Sequence, residues 1–94
     1  MNLIYPALFI KDVEEDTYIV AFDDIAVFCS EDTVEKAFIS AKNLLKQYIK
    51  LSYEEYGEVL EKPRTYEQSV EFHKKGKGFV LLVDVELKVT ENKW

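Results

Sequence analysis

Residues 3–10, LIYPALFI, form an unbroken apolar run, and its length is what most limits the fold. Eight residues are too few for a membrane span and too few for a buried helix, but they suit a strand buried on both faces. Such a strand belongs in the middle of a sheet, with partners along both of its edges. Pro6 interrupts the run. Proline has no N–H to give to a ladder, so it is expected near the start of the strand or beside an unpaired stretch.

The next residues along the chain supply partners for this strand. KDVEED (11–16) is a polar, acid-rich connection, and TYIVAF (17–22) is rich in β-branched and aromatic residues, with Tyr18, Val20 and Phe22 on one face. The two runs predict an antiparallel hairpin. A shorter third strand is expected at Ala26–Cys29. From Asp32 or Thr33 the period changes: Val34, Ala37, Phe38, Ala41, Leu44, Leu45, Tyr48 and Ile49 recur at helical spacing. Asp32 with Glu35 has the spacing of a capping box, and Thr33 is an equal candidate for the cap. TYEQSVEF (65–72) suits a short second helix capped by Thr65, and FVLLVDVELKV (79–89) a strand that is apolar at first and then alternates. The tail TENKW is expected to be loose unless Trp94 docks.

The predicted order is β-β-β-α-(α)-β, an α+β fold. A helical crossover into the last strand implies a parallel, right-handed connection. The first strand is then central in a mixed sheet of order 3-2-1-4, with the main helix on one face.

At 94 residues the chain is expected to be one domain spanning 1–94, with one modest core. Its 12 basic and 18 acidic residues give a net charge of −6, which repels phosphate backbones and favours a basic partner over direct DNA binding. The single cysteine, Cys29, allows no internal disulfide and fits a reducing compartment. No apolar run reaches the roughly 20 residues of a membrane span, and the N-terminus has no signal-peptide pattern. A cytoplasmic location without membrane contact is expected.

Taken together, YPALF (5–9), the acidic turn, TYIVAF, Asp23, the short apolar strand ending in Cys29, EDTVEKAFISAKNLLKQYI (31–49) and the apolar strand at 79–87 resemble the HicB-like antitoxins of bacterial type II toxin–antitoxin systems. The resemblance implies a partial ribonuclease H-like fold. It implies an antitoxin that neutralises a small basic HicA-like, mRNA-cleaving toxin by covering its active site. The sequence departs from the family at Asp23–Cys29, which lacks the usual proline and glycine, and at Glu31, where a glycine is common. Family members usually continue into a DNA-binding segment, and no such appended domain is expected here.

The ribonuclease H likeness raises the alternative of a metal-dependent nuclease, which needs clustered carboxylates. The first strand offers no acid, Glu35 sits at the helix tip, and Asp84 and Glu86 lack partners in the pattern; solvated acids are the expectation, with no metal, no cofactor and no catalytic residue. His73 has no serine, cysteine or carboxylate at a spacing that suggests a triad or a metal site, so a helix-end or loop histidine is expected. Cys29 reads as a small apolar residue, and KKGKG (74–78) lacks phosphate-loop spacing. Tyr48, Tyr53, Tyr56 and Tyr66 suit either helix core and sheet cover or an interface. The toxin-facing residues implied by the resemblance and the acidic charge are Asp23, Asp24, Glu31 and Asp32, with Phe28 as an apolar anchor. A stand-alone oligomeric domain without a toxin is the other reading. Unpaired edge strands make a homodimer the expected state.

Overall fold

A computed structural model describes residues 2–57 and 63–86. The chain runs β1 (Asn2–Asp12), β2 (Thr17–Phe22), β3 (Phe28–Glu31), α1 (Val34–Tyr56), α2 (Tyr66–His73) and β4 (Phe79–Glu86). The sheet order is β3-β2-β1-β4, as expected. Residues 87–89 of the predicted last strand, and the tail with Trp94, lie outside the described residues.

The hairpin between β1 and β2 is closed by side-chain chemistry. Asp12 Oδ1 accepts the N–H groups of Glu14 (3.1 Å) and Glu15 (3.3 Å), an aspartate turn that substitutes for further ladder bonds. The Lys11 ammonium lies 2.7 Å from Asp16 Oδ1 across the turn. Pro6 sits where the proline argument requires. The β1–β2 register begins at Ala7↔Phe22, and the Pro6 carbonyl accepts the Asp23 N–H at 3.4 Å. Its backbone therefore faces the side on which β2 has just ended, and the missing N–H breaks no rung.

Along β1, Tyr5, Ala7 and Phe9 point to the face covered by α1, and Val20, Phe22, Val83 and Val85 join them in one core. Ala37, Ala41, Leu45 and Ile49 form the buried stripe of α1. The two alanines let the helix approach closely, and Phe38 stacks on Phe9 at 6.3 Å. The opposite face carries Pro6, Leu8, Ile10, Val80 and Leu82 and is covered more thinly, by α2, which packs on β1 and β4. Burial of the first strand on both faces therefore holds only at its middle: Pro6 is buried, whereas Ile4 is 50% exposed.

Three expectations need correction. The last strand was expected parallel to the first, in a mixed sheet, but Asn2↔Glu86 and Phe9↔Phe79 pair antiparallel. α1 carries the chain from the hairpin end of the sheet to the far end, and α2 lies on the way back, so β4 starts beside Phe9 and runs opposite to β1. The third strand is displaced from Ala26–Cys29 to Phe28–Glu31, because residues 23–27 are taken up by a tight connection with Val27 N–H bonded to the Ile25 carbonyl at 2.9 Å. Finally, α1 runs seven residues past Ile49. It stops at Gly57, whose φ of 75° is left-handed and whose N–H returns to the Tyr53 carbonyl. Lys42, Lys46 and Lys50 therefore fall in mid-helix, and the last turn carries no basic residue. At the other end Thr33 is the cap, its hydroxyl accepting Lys36 N–H at 3.1 Å.

Candidate functional site

Polar chemistry concentrates where the β2–β3 connection meets α2. Thr65 and Gln68 form a reciprocal capping box that starts α2. Ser69 and His73, four residues apart, then share one face of the helix. Because Phe22 points to α1, the next residue, Asp23, points the other way and meets that face. Ser69 Oγ donates to Asp23 Oδ2 at 2.5 Å, and His73 Nε2 lies 2.7 Å from Asp23 Oδ1. Ser69 is wholly buried and the Asp23 side chain is 2% exposed. Asp24 is engaged at both oxygens: Arg64 donates its backbone N–H at 3.0 Å to one and its Nε at 3.2 Å to the other. The Arg64 guanidinium also lies 3.9 Å from Asp23 and 4.7 Å above the Phe72 ring.

This constellation contains serine, histidine and aspartate, but in an order that does not activate the hydroxyl. In a hydrolytic triad the imidazole stands between the carboxylate and the nucleophile and takes its proton. Here the carboxylate stands between serine and imidazole, so the hydroxyl proton is directed to Asp23 and the ring has no route to it. Every buried side-chain polar atom among the described residues has a partner. The arrangement is a clasp that docks α2 and Arg64 on the sheet. Among the described residues no group of three or more His, Cys, Asp or Glu side chains converges as a metal site would require.

The five residues expected to face a toxin thus divide. Asp23 and Asp24 turn inward and are consumed by the clasp, which corrects their assignment to an exposed acidic surface. Phe28, Glu31 and Asp32 stay on the edge strand or just past it, with Phe28 and Glu31 at opposite ends of β3 and, by strand alternation, on opposite faces. Phe28 is 74% exposed on β3, Glu31 closes that strand, and Asp32 is an exposed acid with Lys36 at 3.4 Å. Cys29 between them points toward α1, its thiol 3.8 Å from the Ala37 carbonyl. Burial pushes that thiol up from its ordinary range, partly offset by the Ser40 hydroxyl. Tyr48 packs against the core, whereas Tyr56 and Tyr66 are exposed.

The clasp residues Arg64, Ser69 and His73 escape sequence reasoning because their partners lie 40 to 50 positions away. One local signal existed. Ser69 and His73 stand four apart in YEQSVEFH, and the helix turns that polar pair inward while Val70 and Phe72 stay exposed. No protein-family model, no curated protein and no solved structure matches this chain.

Proposed function

We propose that this chain is a protein-binding module of the antitoxin type, which neutralises a small basic mRNA-cleaving toxin by covering its active site. The observation that carries the reading is the edge strand β3, which exposes Phe28 at its start and runs at its other end into Glu31 and the exposed acid Asp32. An exposed aromatic residue on an edge strand that ends in acids suits a cationic surface: the ring supplies desolvated contact and the carboxylates steer and orient the partner. The net charge of −6 favours the same class of partner.

The test is co-expression and co-purification with a small basic protein encoded next to this one, with growth rescue as the second readout. Phe28→Ser combined with Glu31→Lys and Asp32→Lys is expected to weaken the complex at least ~100-fold, given the cost of truncating an aromatic anchor together with reversed charge pairs. Asp23 and Asp24 are left intact, because their loss would disturb the fold instead. An unchanged affinity in the triple variant overturns this assignment of the surface, and the absence of any complex or rescue overturns the antitoxin reading itself.

A further inference from the structure

The opposite edge of the sheet carries an inference independent of the toxin-facing surface. β4 is the terminal strand, and among the described residues nothing pairs with its outer side. The orientation of its backbone groups is set by Pro6. The Pro6 carbonyl is directed at Asp23, on the β2 side, so Pro6↔Leu82 is a pair without hydrogen bonds between its two members. Leu82, and with it Val80, Asp84 and Glu86, therefore turns its N–H and C=O away from β1, to the open edge. Natural edge strands are usually kept short or broken by proline, a bulge or a central lysine. β4 has eight residues, and its first five, Phe79–Val83, are all apolar. By contrast β3, at the other edge, has four.

Charge selects the occupant. Lys75 and Lys77 closely precede β4, and at its end lie Glu86 and Asp84, the latter already 3.8 Å from Lys42 of α1. A second β4 laid antiparallel brings the acidic end of each copy to the basic approach of the other, while a parallel copy sets like charges side by side. We propose that the β4 edge is a homodimer interface, in which two copies pair antiparallel about a two-fold axis perpendicular to the sheet. This gives one continuous sheet of order β3-β2-β1-β4-β4-β1-β2-β3, with both α1 helices on the same face.

Sedimentation velocity at low ionic strength over a range of concentrations tests this, with the mass expected to rise from 11.0 kDa to twice that value. Glu86→Lys, which leaves the Lys42–Asp84 pair within the chain intact, and, separately, Lys75→Glu/Lys77→Glu are each expected to weaken self-association at least ~10-fold, since each reversal converts paired charges into like charges twice per dimer. Mixing the two variants restores complementarity at both ends and is expected to restore association as a heterodimer. Leu82→Pro removes an outward N–H without removing a rung to β1, and is expected to give a folded monomer by circular dichroism. A wild-type monomer at every concentration overturns the proposal. A dimer indifferent to both reversals and to Leu82→Pro overturns it as well. Neither outcome bears on binding through Phe28, Glu31 and Asp32, so the two proposals fail separately.

Discussion

Replacing Asp23 with alanine removes the carboxylate from a site with almost no access to water. The buried Ser69 hydroxyl loses its acceptor at 2.5 Å, and leaving such a group unsatisfied costs about 1–3 kcal/mol. His73 Nε2, at 2.7 Å, is partly exposed and can recruit water, so its loss is smaller, about 1 kcal/mol after that discount. Arg64 retains Asp24 and loses little. The expected destabilisation is about 3 kcal/mol, a large part of the roughly 5–15 kcal/mol that holds a domain together. Asp23→Asn keeps an acceptor for Ser69 and stays within hydrogen-bond reach of His73, so it should cost about 1 kcal/mol. Urea unfolding followed by circular dichroism measures both, and Ser69→Ala in the Asp23→Ala background completes a double-mutant cycle. Because the second change removes the orphaned hydroxyl, it should recover part of the loss. If Asp23→Ala costs under about 1 kcal/mol, or the two changes simply add, the clasp does not hold α2 and the reasoning fails.

Other outcomes rest on single features. Leu45→Ala empties the centre of the α1 stripe, where Leu45 is wholly buried, and is expected to lower unfolding free energy by about 2–5 kcal/mol in the same titration. Gly78 has a φ of 101°, and a Cβ there would run into the Phe9 carbonyl oxygen. Gly78→Ala should therefore cost about 2 kcal/mol or more, whereas Gly76→Ala, with only an ordinary contact to the His73 carbonyl, should cost under about 1 kcal/mol by thermal melting. The Cys29 thiol is raised above its ordinary value of 9.0 by burial, so the reactive thiolate forms at higher pH than in a free thiol. Alkylation near pH 8 should run slower than for a model thiol, and its rate should still be climbing with pH above 9.0 where the model thiol's levels off; equal rates at pH 8 would contradict the burial.

Strand order and the core stripe were legible because each rests on local periodicity. LIYPALFI and TYIVAF announce strands, and Ala37, Ala41, Leu45 and Ile49 recur every four residues. The direction of β4 was not legible, since it depends on where α1 stops and on whether the chain crosses the sheet once or returns. That is set by Gly57 and by where α2 docks, neither of which carries a directional signal. Asp23 and Asp24 were misread for a related reason. In sequence they are two adjacent acids without nearby bases, and only folding brings Arg64, Ser69 and His73 to them. The same long separation hid the partner of His73. Phe28, Glu31 and Asp32 are near neighbours in sequence, but how they sit on the edge depends on β3 lying two residues later than its apolar run suggests.

The separation between Asp23 and His73 also has a kinetic consequence. Joining them closes a loop of 50 positions that contains β3 and all of α1, whereas the β1–β2 hairpin closes across a few residues. Loop-closure entropy favours the hairpin and its packing with α1 as the earlier structure. The ordering of α2 then belongs to the descent after the barrier, so that Ser69→Ala should accelerate unfolding while leaving the folding rate nearly unchanged, with a φ-value near zero.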